Sequence, residues 1–121
     1  MPLKSRLFND DRALEACSTQ DSAHLTPGAK GDHVSKIHTA LLVLDNVSVA
    51  VYELKTKSYG PSTAAAVLAF KTRRNIINRS YQKTADNIVG KMTIAIMDQE
   101  MVLKERESNL SFDPNRNPST T

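Results

Sequence analysis

The feature that most constrains this chain is a five-residue pattern that occurs twice, thirty positions apart. Tyr59-Gly60-Pro61-Ser62-Thr63 and Val89-Gly90-Lys91-Met92-Thr93 both follow the pattern apolar-Gly-x-x-Thr. Glycine lets the backbone turn sharply where a Cβ atom would clash, and threonine can hydrogen-bond to backbone groups in the first helical turn. Each copy therefore predicts a sharp turn that leads directly into a helix.

Apolar residues at helical spacing predict three helices. Asp32 is a good N-cap for the first helix, whose apolar stripe is Val34, Ile37, Leu41 and Leu44. The second helix begins at Pro61, because the first helical turn does not use the N–H that proline lacks, and it ends near Asn75. Its predicted inner face is Thr63, Ala66, Val67 and Phe70.

The third predicted helix starts after Gly90 and is apolar on nearly all sides. One side carries Met92, Ile96, Gln99 and Leu103. The other side carries Ile94, Met97 and Met101. A helix of this kind usually has neighbours on both sides, so the second side predicts contact with either the N-terminal segment or a partner protein.

The length of 121 residues supports a single domain. We expect a compact unit over residues 27–103, preceded by an N-terminal arm over 1–26 that packs on something else. Residues 104–121 are rich in Asn, Ser, Pro and charge, and they predict a frayed helix end and a flexible polar tail or linker. The expected fold is all-α: a compact three-helix bundle with long inter-helix loops.

The positive charge is concentrated in one third of the chain. Residues 55–91 contain eight basic side chains and one acidic side chain, whereas the chain as a whole has a net charge of +3. Such a run favours anionic partners, among them nucleic acid, anionic wall polymers and the carboxylates of cell-wall peptides. A solvated basic surface without a specific ligand is the alternative interpretation.

Three blocks of residues occur in order between about residues 25 and 100. They are Gly28-Ala29-Lys30-Gly31-Asp32-His33-Val34 with Ile37-His38 and Leu41; Tyr59-Gly60 with Thr63, Ala66-Val67 and Phe70-Lys71; and Asp86-Asn87-Ile88-Val89-Gly90 with Thr93. This order resembles the small peptidoglycan-binding domain found beside bacterial cell-wall amidases, transpeptidases and lytic enzymes. The residues that carry the resemblance most directly are Gly31, Gly60, Thr63, Phe70, Asp86, Gly90 and Thr93.

The chain departs from that family's pattern at three positions. His38 and Lys71 stand where the family usually has Gln, and Asn87 stands where it usually has Gly. The links over residues 47–58 and 76–85 are also longer than usual. Because loops often carry recognition, the ligand preference is expected to differ from the family norm.

The resemblance implies a peptidoglycan-binding-domain-like bundle that acts as a non-catalytic binding module, targeting an attached or associated protein to the bacterial cell wall. With aromatic residues at only 5% and no Trp, we expect contact with the peptide stem rather than broad stacking on sugars. Arginine can hold a stem carboxylate through two parallel hydrogen bonds. The predicted ligand-binding residues are Tyr59, Arg73, Arg74, Asn78, Arg79 and Tyr81.

Two other binding functions compete with this prediction. A protein-interaction adaptor would use the face of Ile94, Met97 and Met101, because methionine-rich faces suit adaptable interfaces. Nucleic-acid binding by the basic segment is less favoured, because the inter-helix links are far longer than the three or four residues of a helix-turn-helix motif.

Catalysis is not predicted from the sequence. His33 and His38 lie on different faces of a helix and cannot share a metal ion, and no HExxH, GxSxG or phosphate-loop motif occurs. Cys17 is the single cysteine, which excludes an internal disulfide and a thiol-based zinc site. We therefore expect no enzyme activity, no metal and no cofactor.

Membrane insertion and Sec-dependent export are not predicted either. No apolar run approaches the roughly 18 residues of a membrane span. The polar stretch Asn9-Asp10-Asp11, with two acidic residues, stands where a signal peptide would have its apolar centre. A place in the periplasm or cell wall would then require another export route, and the compartment stays open.

Overall fold

The structure, a computed structural model, describes residues 3–20, 23–76 and 86–111, with side chains described as far as residue 106. This part of the chain is all-α, as predicted. Its helices are α1 (Arg12–Thr19), α2 (Asp32–Asp45), α3 (Val51–Thr56), α4 (Pro61–Arg74) and α5 (Lys91–Ser111). Within these described ranges there is no β-strand, and two isolated antiparallel bridges link Leu25 to Val89 and Lys30 to Ser58.

The glycine turns lie where the repeated pattern predicts them. Gly60 directly precedes α4, and Gly90 directly precedes α5. A Cβ atom on Gly60 would lie 2.6 Å from the carboxyl carbon of Glu53, so a larger residue has no room at this turn. The glycine of the first copy therefore has a packing reason, since its backbone is extended (φ -103°, ψ -165°), a conformation open to any residue.

The ends of the helices follow local sequence signals. Asn75 ends α4 in the left-handed conformation with φ 56°, as predicted. Asn46 ends α2 in the same way. The predicted N-cap Asp32 is wrong by one position: Gly31 is the N-cap with φ 134°, and Asp32 is the first helical residue. Because Gly31 adopts a φ that side-chain-bearing residues rarely reach, the lead turn requires glycine here.

The core includes both the predicted stripes and the N-terminal segment. α2 packs against α4 and α5, and α1 packs against α5. Phe70 and Val67 are fully buried, as the interpretation of the second helix requires. The N-terminal segment contributes Leu3, Phe8, Leu14, Cys17 and Leu25 to the same core.

The two faces of α5 differ in burial, which the sequence pattern left open. Ile94, Met97 and Met101 are buried in the core, whereas Met92 is 50% exposed and Leu103 is 56% exposed. The expectation that Ile94, Met97 and Met101 dock a partner protein is therefore wrong. The N-terminal segment packs on this side of the helix, as the competing interpretation of that face predicted.

Two carboxylates of α5 fix the N-terminal segment. Asp98 accepts hydrogen bonds from the backbone N–H groups of Lys4 (3.0 Å) and Ser5 (2.7 Å). About two helical turns further along α5, Glu105 accepts hydrogen bonds from the Ser5 hydroxyl at 2.6 Å and from the Arg6 N–H at 3.0 Å. Glu105 belongs to the stretch predicted to be a frayed helix end and tail, and residues 104–111 of that stretch continue α5.

Replacing Asp98 with alanine is expected to loosen this attachment. The backbone N–H groups of Lys4 and Ser5 lose a charged acceptor, which costs about 2 kcal/mol of unfolding free energy. Amide hydrogen exchange at residues 4 and 5 should accelerate by about tenfold or more, since local opening becomes easier. Gln99→Ala, at an exposed neighbour on the same helix, is the matched control and should change neither quantity.

Candidate functional site

A glycine followed three positions later by a buried residue occurs at the start of three helices. Gly31, Gly60 and Gly90 each directly precede a helix, and the residue three positions after each glycine is buried. Those buried residues are Val34, Thr63 and Thr93. The lead turn before α2 thus shares its glycine and its buried third residue with the two turns of the sequence repeat, although Gly31 alone of the three has a positive φ.

A polar side chain from each of two helices holds the turn that starts a later helix. His38 of α2 bonds through Nε2 to the carbonyl oxygen of Ser58 at 3.1 Å. Lys71 of α4 donates through Nζ to the carbonyl oxygen of Ile88 at 2.8 Å and also pairs with Asp86. Ser58 and Ile88 each lie two positions before a turn glycine. His38 and Lys71, which depart from the resembled pattern, therefore act as donors, as a Gln amide could.

Glu53 of α3 caps the N-terminus of α4. Its carboxylate accepts from the backbone N–H groups of Gly60 (3.1 Å), Ser62 (3.0 Å) and Thr63 (2.9 Å), and from the Thr63 hydroxyl (2.6 Å). Burial alone would raise the pKa of Glu53, but the hydrogen bonds from Thr63 and Ser62 outweigh it and lower the pKa to about 2. Glu53 is therefore ionised at neutral pH and complements the positive end of the helix dipole.

The hydrogen bonds around His38 define its tautomer. The Ser58 carbonyl can only accept, and the Thr63 hydroxyl already donates to Glu53, so Nε2 of His38 must carry the proton that both contacts need. The ring is 4% exposed, and Nδ1 has no hydrogen-bond partner among the described residues. Burial lowers the pKa of His38, which favours this neutral form.

An open cleft of about 200 Å³ lies between α2 and the segment that leads into α3. Its lining is half apolar and half polar. The lining residues are Ser35, His38, Thr39, Leu42, Val47, Ser48, Val49 and Leu54. Leu42 and Leu54 are partly exposed at this cleft, which places apolar surface where a ligand can reach it.

The predicted ligand-binding residues do not form one surface in the described part of the chain. Tyr59 is 1% exposed, and its hydroxyl donates to the Asn87 carbonyl, so its ring is a core residue rather than part of a groove. Arg74 is held by Asp45 and Glu100. The Arg73 side chain is 59% exposed, with Nη1 3.6 Å from Asp45. Asn78, Arg79 and Tyr81 lie outside the described residues.

Ion pairs within the chain, some exposed and some partly buried, neutralise several charges of the basic segment. Lys57 pairs with Asp32, and Lys71 pairs with Asp86. Arg74 adds two further carboxylate contacts inside the fold. The positive run therefore has a structural role, and its charge is a weaker indication of an anionic partner than the sequence alone suggests.

Cys17 belongs to the core rather than to a reactive site. Its thiol is fully buried and donates to the Val89 carbonyl at 3.3 Å. Burial raises the pKa of Cys17 to about 11, which keeps the thiol protonated and poorly nucleophilic. Across the described ranges, no group of three or more His, Cys, Asp or Glu side chains is arranged to hold a metal ion. Within the same ranges, no helix has the length and apolar character needed to cross a membrane.

Comparison of the chain with protein-family models, with curated proteins and with solved structures finds no match.

Proposed function

We propose that this chain is a non-catalytic module that binds the peptide stem of bacterial peptidoglycan and targets an attached or associated protein to the cell wall. The cleft between α2 and the segment leading into α3 is the proposed contact site. One observation carries the proposal. His38, from the first motif block, lines this cleft, and Thr63, from the second block, hydrogen-bonds to the His38 ring.

The arrangement of the motif blocks supports the proposal. Gly31, Gly60 and Gly90 each directly precede a helix, and Phe70 is buried in the core. Lys71 and Asp86 pair across the last two blocks. The three blocks follow one another along the sequence, and in the fold each of them contains the start of a helix.

The chemistry of the cleft also suits a peptide. Both polar and aliphatic groups line its walls, and a peptide stem presents both amide groups and short aliphatic side chains. Outside the lining of the cleft, the largely exposed guanidinium of Arg73 is the proposed contact for a stem carboxylate. Weak binding by such a module still concentrates an associated protein on the wall.

A pull-down on purified, protein-free sacculi tests this function. The unmodified chain should be retained, and Leu42→Glu, which places a charge in the cleft, should reduce retention by about fivefold or more. Leu68→Glu is the matched control, because Leu68 is a similarly exposed leucine on α4 outside the cleft. The proposal is contradicted if the unmodified chain is retained no better than a neutral control protein.

A further inference from the structure

We propose that the outward face of α5 is a self-association surface, on which a second copy of this chain packs its own α5 in the antiparallel direction. This face, which we call the outer stripe, consists of Met92, Ala95, Ile96, Gln99, Val102 and Leu103. The inference goes beyond the proposed function and does not rest on it, because the outer stripe shares no residue with the cleft.

The outer stripe is an uncharged and accessible band on the longest of the described helices. Its members lie three or four positions apart, so they occupy one side of α5 over about 16 Å. The side chains at its two ends are large and apolar: Met92 is 50% exposed and Leu103 is 56% exposed. The residues between them are exposed or half-buried. Contiguous apolar surface of this kind is typical of a contact with another protein surface.

The spacing of the stripe indicates the shape of its partner. Met92, Ile96, Gln99 and Leu103 follow one another at intervals of four, three and four residues, which is the spacing of the inward positions of a coiled coil. A seam of this kind accepts the side chains of another helix with the same repeat. The outer stripe carries no charge, so it offers no ion pair to an acidic or basic partner. The partner is therefore an uncharged helical face.

The outer stripe fits itself when its direction is reversed. In antiparallel packing, Met92 lies against Leu103 of the second copy, and Ile96 lies against Gln99 of the second copy. Each of these pairs occurs twice, as the two-fold axis of a symmetric dimer requires. The two most bulky exposed apolar groups of the stripe are thus covered together at both ends of the interface.

The two flanks of the stripe favour the antiparallel direction over the parallel one. One flank is apolar and carries Ala95 and Val102. On the opposite flank, Glu100 is bonded to Arg74 of its own chain at 2.7 Å. Antiparallel packing places the two apolar flanks against each other, whereas parallel packing places each apolar flank against a Glu100–Arg74 pair, which would lose water without gaining a polar partner.

The association is expected to be weak and dependent on concentration. A seam about 16 Å long buries much less than the roughly 1,200 Å² of a stable complex, and the Gln99 amide in the seam lowers the affinity further. Sedimentation equilibrium of the full chain should give a dimer Kd of about 0.1 to 1 mM. In NMR spectra recorded at increasing dilution, the methyl resonances of Met92 and Leu103 should shift. Those of Leu68, an exposed leucine on α4, should not.

Two variants at the ends of the stripe test the direction of packing. Met92→Lys and Leu103→Glu should each raise the Kd by about tenfold or more, because each homodimer then covers two unpaired charges. An equimolar mixture of the two variants should associate more tightly than either variant alone. In the mixed dimer the introduced lysine faces the introduced glutamate, and the other end keeps its Met92–Leu103 contact. Leu68→Glu and the cleft variant Leu42→Glu are the controls and should leave the Kd unchanged.

Three results would overturn the inference. They are an unmodified chain that stays monomeric up to about 2 mM, self-association that neither stripe variant weakens, and a mixture of the variants that associates no better than its components. The dilution series uses the unmodified chain, so it decides the first point even if a variant fails to fold. Retention on sacculi has no part in these measurements, so failure of wall binding and failure of self-association are distinguished.

Discussion

Replacing Glu53 with alanine is expected to lower the free energy of unfolding by about 3 kcal/mol and the Tm by about 10 °C. The substitution removes a buried carboxylate that accepts from three backbone N–H groups at the start of α4 and from the Thr63 hydroxyl. Thr63 is fully buried, so its donors are left without a partner, which is more costly than loss of a surface cap. Without the Glu53 carboxylate, the Thr63 hydroxyl also loses the acceptor that orients its oxygen toward His38.

Urea denaturation of Glu53→Ala, compared with Lys55→Ala, measures this loss. Lys55 is exposed on the same short helix, so its replacement tests helix propensity alone and should change stability by less than about 0.5 kcal/mol. A second comparison uses Gly60→Ala, whose Cβ would collide with the Glu53 carboxyl group in the unmodified chain. That penalty should shrink when Glu53 is alanine, because the collision partner is gone. Equal destabilisation by Glu53→Ala and Lys55→Ala would contradict the role of Glu53 as a cap.

The contribution of Glu53 should also depend on pH in a defined direction. Its pKa falls from 4.5 to about 2 in the folded state, so ionisation stabilises the fold fully above about pH 4.5. As the pH falls from there towards 2, the unfolded state takes up the proton first and the stabilisation is lost. The difference in unfolding free energy between the unmodified chain and Glu53→Ala should therefore be largest near neutral pH. It should shrink steadily through this acid range.

The sequence predicted the parts of the fold that depend on local chemistry. Gly60 and Gly90 mark the starts of α4 and α5, and Asn75 marks the end of α4, because asparagine tolerates the left-handed conformation that ends the helix. Phe70 is buried as its spacing with Val67 indicates. Such signals need no knowledge of the rest of the chain.

The contacts that the sequence did not reveal connect distant segments. Glu53 lies in a link that showed no helical pattern, yet it caps a helix that begins eight positions later. Asp98 and Glu105 bind backbone groups more than ninety positions away. On α5, apolar residues occur on all sides, so periodicity could not decide which face is buried. The position of the N-terminal segment decides it.

The same limit explains the predicted ligand residues. A basic side chain near the end of a helix can pair with an anionic ligand or with a carboxylate of the same chain, and the sequence does not show which of the two lies within reach. Arg74 proves to serve Asp45 and Glu100, whereas its neighbour Arg73 remains largely exposed. The cleft was missed because its walls come from α2 and a loop that turns back onto it.

Replacing Arg74 with alanine is expected to lower the free energy of unfolding by about 3–4 kcal/mol. Its guanidinium contacts Glu100 at 2.7 Å and Asp45 at 2.8 Å, and it stacks 3.7 Å from the centroid of Phe70. The Asp45 side chain is only 3% exposed, so loss of this partner leaves a nearly buried carboxylate with weakened pairing. Arg74→Lys keeps the charge but not the two-sided geometry or the stacking, and it should fall between alanine and arginine.

The adjacent arginine provides the matched control for this prediction. Arg73 contacts the same Asp45, but at 3.6 Å and from an exposed position, so Arg73→Ala should cost no more than about 1 kcal/mol. If the cost of Arg74→Ala arises from the stranded charge of Asp45, adding Asp45→Asn should recover part of the lost stability, because a neutral amide is cheaper to bury than an unpaired carboxylate. Thermal and urea denaturation of the two single variants and the double variant decide between these effects. Equal losses for Arg73→Ala and Arg74→Ala would mean that the buried geometry adds nothing to a surface ion pair.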